Sequence, residues 1–122
     1  MARPNWEYIR VDVLLPGHPK LAGLSRAARW TLVELWCHCG QYHTDGWVRE
    51  AVWKTIGSKA DRDAIVKAEL AEPAPMGGYI MHDFTGPNGH QRSRQEIDEL
   101  SQRRADAGRK GGSRGSKPQA IA

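Results

Sequence analysis

The segment RAARWTLVELWCHCGQYH, residues 26–43, most constrains what this chain can fold into. Ala28, Leu32, Leu35, Trp36, Cys39 and Tyr42 recur at steps of three and four residues along it. That spacing predicts an amphipathic helix with one buried face. Ser25 stands immediately before the run, where its hydroxyl can accept a hydrogen bond from a free amide of the first turn. A long helix that buries one face requires further elements packed against that face.

The residues after this helix predict a helix-turn-helix arrangement. His43–Gly46 is typical of a turn, because Thr and Asp side chains bond locally to backbone and Gly permits positive φ. In 47–57 the residues Val48, Val52 and Ile56 share one helical face, and Gly57 is a natural helix end. Residues 58–70 form the next predicted helix. Ser58 and Asp61 have the spacing of a capping box at its start.

A β-hairpin is predicted after the second helix of this pair. AEPAP (71–75) and YIMHDF (79–84) can pair around the turn residues 76–78, where two glycines tolerate the turn. Pro73 and Pro75 confine the first strand to a sheet edge. At the other end, residues 6–15 alternate with a period of two and predict a strand with Ile9, Val11 and Val13 buried. Residues 20–25 predict a short helical turn. This order predicts an α+β winged helix-turn-helix in which the hairpin is the wing.

The C-terminal third is expected to contribute little to a core. Residues 85–92 are typical of a linker, and Ser93 with Glu96 predicts a capped, charged helix from about 94 to 107 that Gly108 ends. The remaining tail has too little apolar material to pack and is expected to be disordered. We therefore expect a winged-helix domain at 1–86, a linker and charged helix at 87–108, and a basic flexible tail at 109–122.

Charge is distributed unevenly in the 122 residues. The formal net charge is +4, yet residues 103–122 contain six Lys or Arg and one acidic residue, so the rest of the chain is close to neutral. The basic character therefore belongs to the tail. No apolar run approaches the roughly 18 residues that cross a bilayer, and the N-terminus lacks the apolar segment of a signal peptide. We expect a cytoplasmic protein, in the host cell if it is of phage origin.

Three stretches are similar to the small winged-helix proteins of phages and prophages related to the N-terminal domains of replisome organisers. IRVDVLLPGHPKLAGLS (9–25) resembles their initial strand and short helix, LVELWCHCGQYHTDGWV (32–48) resembles their long helix and its turn, and AGRKGG (107–112) resembles their tails. The likeness covers about residues 6–112. It implies binding to double-stranded DNA in replication initiation or transcriptional control, and it supplies no base-contacting residue.

The candidate DNA-binding residues come from this arrangement. The second helix of a helix-turn-helix enters the major groove by its N-terminal end, which here offers Ser58, Lys59 and Arg62. Lys67 lies further along that helix, and Arg49 and Lys54 precede it. The tail adds sequence-independent phosphate contacts. The candidates in the tail and at the end of the charged helix before it are Arg103, Arg104, Arg109, Lys110, Arg114 and Lys117. The competing interpretation is that these charges only solvate helix faces, because Asp61, Asp63 and Glu69 alternate with the basic residues of 58–70.

Five tryptophans are many for a core of this size, and aromatic side chains left outside a core mark protein contacts. Trp30 and Trp53 lie off the predicted core faces and are the candidate partner-binding residues. The alternative function is therefore a phage-encoded adaptor or inhibitor that binds a host protein through exposed aromatics. A homodimer formed through such a face is a further option.

The sequence favours neither a metal site nor an enzyme. Cys37 and Cys39 diverge on a helix, and no second cysteine pair exists for a structural zinc site. Cys39 and His43 could share a metal only with help from His18 or His82. No Ser-His-Asp order, phosphate-binding loop or HExxH motif is present. We expect no catalytic residue and no cofactor.

Overall fold

The computed structural model describes residues 8–86, 89 and 91–114, with side chains up to residue 109. Its fold class is α+β. The described residues contain five α-helices and one three-stranded antiparallel sheet. The helices are α1 (Pro19–Ala22), α2 (Arg26–Tyr42), α3 (Glu50–Trp53), α4 (Lys59–Lys67) and α5 (Arg94–Arg114). The strands are β1 (Trp47–Val48), β2 (Ala71–Pro73) and β3 (Tyr79–Met81), and a 3-10 turn covers Leu15–Gly17.

Helix α2 is the central element, as its periodicity predicts. Ala28, Leu32, Leu35 and Cys39 are buried along one face, and the Ser25 hydroxyl accepts a hydrogen bond from the Ala28 amide at 3.1 Å. Helix α4 packs across this face through the fully buried Ile65. Because the apolar stripe is continuous, one cluster holds α1, α2, α4 and the sheet together. Tyr42 is the exception to the predicted stripe, since the end of α2 extends past the core and leaves this ring exposed.

The predicted hairpin is confirmed and belongs to a larger sheet. β2 and β3 pair antiparallel, with Ala71 opposite Met81 and Pro73 opposite Tyr79. β3 is the central strand, because β1 pairs on its other side with Val48 opposite Tyr79. The Pro-containing β2 is therefore an edge strand, as expected, since proline cannot donate to a neighbour.

Gly78 allows the hairpin turn to lie directly against β1. Its φ is +70°, and a Cβ there would overlap the Val48 carbonyl oxygen. Any side chain would both strain this backbone and push the hairpin away from β1.

The single helix predicted over 47–57 is wrong in its first part. Trp47 and Val48 form β1, and only Glu50–Trp53 is helical before the chain turns to Gly57. The turn at Gly46 places these two residues beside β3, where pairing satisfies their backbone groups and buries Val48. That gain outweighs the four-residue apolar spacing, which by itself cannot distinguish the two conformations.

The strand predicted over 6–15 is also wrong in the described part. No residue from 8 to 14 belongs to a strand, and Val11 and Val13 are exposed. β1 and β2 are the two edge strands of the sheet, and residues 8–14 pair with neither of them. Instead the Gln91 side-chain amide bridges the backbone of Arg10, donating to its oxygen at 2.6 Å and accepting from its nitrogen at 2.9 Å.

Helix α5 begins where predicted and ends later. The Ser93 hydroxyl accepts from the Glu96 amide at 3.1 Å, and the Asp45 carboxylate accepts from the Arg94 amide at 2.6 Å. The predicted end at Gly108 is wrong, because α5 continues through this residue to Arg114. A glycine in a helix interior costs only about 1 kcal/mol, and good helix formers surround it. Within the described ranges no helix is both long and apolar enough to cross a membrane.

Candidate nucleic-acid interface

The turn between α3 and α4 is the best-defined part of the candidate interface. Gly57 has a φ of +67°, and a Cβ there would overlap the buried Thr31 side chain of α2. Ser58 then caps α4, its hydroxyl accepting from the Asp61 amide at 3.1 Å. The turn between α3 and α4 therefore lies directly against α2 at Gly57. The amino-terminal end of α4 is thereby held at the surface, with Ser58 and Lys59 exposed.

The basic residues around this turn are largely engaged within the protein. The Lys59 ammonium pairs with Asp63 at 2.8 Å, and that of Lys54 pairs with Glu50 at 3.5 Å. The Arg62 guanidinium is half-buried and donates to the carbonyl oxygens of Ile56 at 3.0 Å and Gly57 at 2.6 Å. Arg62 therefore holds the turn in place, a role that the sequence did not reveal.

Arg49 and Lys67 are free of such contacts. Both side chains are exposed, and neither has an ion-pair partner among the described residues. They lie at different places, Arg49 before α3 and Lys67 in the last turn of α4. The structure thus groups Lys54, Ser58, Lys59 and Arg62 around the connection between α3 and α4. Lys67 lies about two helical turns further along α4.

Helix α5 separates its charges along its length. Its first turns carry Glu96, Asp98 and Glu99, while residues 101–114 contain five Lys or Arg and one acidic residue. Acidic groups near the amino end and basic groups near the carboxyl end both favour the helix dipole. Arg103, Arg104 and Arg109 are exposed, and Arg109 contacts Asp106. Lys110 and Arg114 lie on α5 by their backbone, and Lys117 lies outside the described residues.

The two candidate partner-binding tryptophans differ in their environment. Trp30 is 63% exposed on the outer face of α2 and remains available to a partner. The interpretation of Trp53 as a surface residue is wrong, because it is 5% exposed and stacks on Tyr79 with ring centroids 4.0 Å apart. The end of α3 turns this indole inward over the sheet, where it joins the core.

An open aromatic cleft, which sequence reasoning missed, lies between the end of α2 and the β1–α3 connection. The cleft has a volume of about 500 Å³ and is lined by His38, Tyr42, Thr44, Trp47, Arg49 and Val52. The Trp47 indole is held by its Nε1, which donates to the Gly77 carbonyl oxygen at 2.9 Å. Burial, and then the charge of Arg49, lower the pKa of His38, which favours the neutral form of this imidazole. The apolar pair Trp47-Val48 after a Gly turn was the available signal for a strand here.

The candidate metal ligands do not converge. Within the described ranges, no three His, Cys, Asp or Glu side chains are grouped so that they could hold a metal ion. Burial raises the pKa of the Cys39 thiol to about 11, which keeps it protonated at neutral pH. Burial and the charge of Glu34 also raise the pKa of the exposed Cys37. Both thiols are therefore poor sources of the thiolate that a metal requires.

Comparison of the chain with protein-family models, with curated proteins and with solved structures found no match.

Proposed function

We propose that the chain is a winged-helix DNA-binding protein of phage or prophage type, acting in replication initiation or transcriptional control. The observation that carries this proposal is the order α2–β1–α3–α4–β2–β3 with the sheet order β1-β3-β2. This order makes α3 and α4 a helix pair across the Gly57 turn and makes β2–β3 a hairpin directly after the second helix. In such a unit α4 is the recognition helix and the hairpin is the wing.

The amino-terminal end of α4 would enter a groove of double-stranded DNA. Its free amides and the positive end of the helix dipole attract phosphate, and Lys59 and Ser58 are exposed there. Lys59 can exchange Asp63 for a DNA group at small cost, because an exposed ion pair contributes only about 0–1 kcal/mol. Arg62 would act indirectly by fixing the turn.

Most of the electrostatic attraction would come from α5. Its exposed arginines and the following basic residues can lie along the phosphate backbone, while the uncharged hairpin tip at Pro75–Gly77 contributes little. Each phosphate contact releases a counterion, so the affinity falls as salt rises. The chain would thus bind DNA of any sequence through α5 and would be positioned on the DNA by α4.

A fluorescence anisotropy titration of labelled duplex DNA at several salt concentrations tests the proposal. We expect the affinity to fall steeply with salt, and a preferred sequence to emerge from a randomised duplex pool. Lys59→Glu should abolish that preference. Lys54→Glu is the matched control, since Lys54 also pairs with an acidic residue four positions away, and it should weaken binding equally for all sequences. Absence of binding at low salt would overturn the proposal.

The alternative function, an adaptor or inhibitor that binds a host protein, is supported by the exposure of Trp30. It predicts that the chain ignores DNA at all salt concentrations and binds one purified host protein. Trp30→Ala should then abolish that binding without changing the thermal unfolding temperature.

A further inference from the structure

The turn at Asp12–Leu15 presents apolar side chains to solvent in an unusual way. The Leu15 amide donates to the Asp12 carbonyl oxygen at 3.0 Å, and the Leu14 amide donates to the Asp12 carboxylate at 2.8 Å. These bonds define an Asx-stabilised β-turn with Val13 and Leu14 at its tip. Val13 is 91% exposed and Leu14 is 77% exposed. Turn tips normally carry polar residues, so two aliphatic side chains fixed outward suggest a surface that is covered by something else.

The aromatic cleft has the complementary composition. Tyr42, Trp47 and Val52 provide apolar walls, and the centroids of the His38 and Tyr42 rings lie 5.0 Å apart. Arg49 is the one permanently charged residue of this lining, and it has no ion-pair partner among the described residues. Tyr, Trp and Arg are the residue types that contribute most at protein interfaces. The cleft therefore suits an apolar tip accompanied by one carboxylate.

We propose that the Asp12–Leu15 turn of one copy of this chain docks in the aromatic cleft of a second copy. Val13 and Leu14 enter between Tyr42 and Trp47, and the Asp12 carboxylate lies near Arg49. The apolar turn tip carries one carboxylate, Asp12, and the apolar cleft carries one guanidinium, Arg49. Because these two complementary surfaces belong to the same chain, a second copy is the occupant.

The positions of the two surfaces require the contact to be between molecules. The N-terminal segment lies against α2 at Gly40, where a Cβ would meet Ile9 Cγ2 at 3.0 Å, and Gln91 holds Arg10 there. His38 and Tyr42 project from the opposite side of α2, because helix positions two apart differ by roughly 200° at 3.6 residues per turn. The turn therefore cannot reach the cleft of its own molecule. A head-to-tail contact of this kind forms a ring or an open chain of copies.

Mixing two surface variants of the full chain tests this arrangement. Val13→Glu/Leu14→Glu removes the apolar tip and leaves the cleft intact, while Tyr42→Glu places a carboxylate in the cleft and leaves the turn intact. All three side chains are exposed, so circular dichroism should show native helix content in both variants. Arg49 is left unchanged because it is also a candidate DNA contact.

Sedimentation velocity of nuclease-treated protein gives the measurement. The unmodified chain should form concentration-dependent species larger than a monomer below about 1 mM. Each variant alone should associate at least about tenfold more weakly. The equimolar mixture should stop at a dimer, because only one intact turn and one intact cleft remain to meet. Trp30→Ala, an exposed aromatic elsewhere on α2, should associate like the unmodified chain.

Three results would overturn the inference. The unmodified chain could stay monomeric up to that concentration, the mixture could stay monomeric, or Trp30→Ala could reduce association as strongly as Tyr42→Glu. DNA binding by any of these variants does not enter the interpretation, so the inference and the proposed function stand or fall separately.

Discussion

Helices α4 and α5 both carry basic residues, but they use them differently. In α4, Lys59 is paired with Asp63, and Arg62 donates to two carbonyl oxygens of the preceding turn. In α5, Arg103 and Arg104 are exposed and have no ion-pair partner among the described residues. Helix α4 is also tied to the core by Ile65, whereas Ile97 is the buried side chain among those described in α5. The comparison shows that the number of basic residues on a helix does not determine how many are available to a ligand.

The largest expected difference concerns how each helix is anchored. Ile65→Ala should lower the free energy of unfolding by about 2–5 kcal/mol, because it leaves a cavity where α4 meets α2. Ile97→Ala should release α5 and reduce helical circular dichroism, while the urea midpoint followed by tryptophan fluorescence changes little. The four tryptophans from Trp30 to Trp53 all lie outside α5, so fluorescence reports on the rest of the fold. Equal effects of both substitutions on that midpoint would show that α5 is part of the same cooperative unit.

The next prediction compares DNA binding by the two helices. Arg103→Gln/Arg104→Gln/Arg109→Gln should lower low-salt affinity for duplex DNA by about 10- to 100-fold and flatten the salt slope by about two to three. Lys54→Gln/Lys59→Gln/Lys67→Gln removes the same charge, but two of these lysines are already paired, whereas in the α5 set only Arg109 is. We therefore expect a slope change of about one at most. Anisotropy titrations from low to high salt provide both slopes, and the reverse ranking would place the main phosphate contacts on α4 and the turn before it.

The pH dependence of stability tests how well the core that anchors α4 excludes water. Burial raises the pKa of Cys39 in the folded protein to about 11, from 9.0. Between these values the unfolded chain loses the thiol proton while the folded chain keeps it, so stability falls as the pH rises from about 9 to 11. The loss is about 1.4 kcal/mol for each unit of pKa difference. Urea unfolding across this range measures it, and Cys39→Ala should remove the part of the slope that Cys39 contributes.

The smallest predicted effects separate two neighbouring basic residues of α4. Arg62→Gln should lower the free energy of unfolding by about 1 kcal/mol, because the carbonyl oxygens of Ile56 and Gly57 lose their donor. Lys59→Gln should change it by less than about 0.5 kcal/mol, since its pair with Asp63 is exposed. Thermal unfolding of the two variants in parallel distinguishes them. A larger loss for Lys59→Gln would contradict the structural role given to Arg62.

The features that could be predicted were those set by local chemistry. The amphipathic period of α2, the hydroxyl caps at Ser25, Ser58 and Ser93, and the hairpin around the Gly77-Gly78 turn all depend on residues close in sequence. The winged-helix interpretation and the DNA-binding residues remain predictions.

The errors occurred where a distant neighbour decided the outcome. Alternation in residues 6–15 indicated a strand, but a strand needs a partner strand for its backbone, and in this segment the Arg10 backbone is bonded to the distant Gln91 side chain instead. Trp53 lies off the predicted buried face only if Val48 and Val52 share one helix. Val48 belongs to a strand, however, and Trp53 stacks on Tyr79.

The sequence by itself determined where the main helices begin, which face of α2 is buried and where the hairpin turns, because caps, apolar spacing and glycines act over a few residues. Only the tertiary structure decided that Trp47-Val48 joins β3, that Arg62 is committed to the Gly57 turn, and that Tyr42, Trp47 and Arg49 share a cleft. These outcomes depend on which backbone groups and surfaces meet across long sequence separations. The spacing of residues along a short segment carries no information about such long-range contacts.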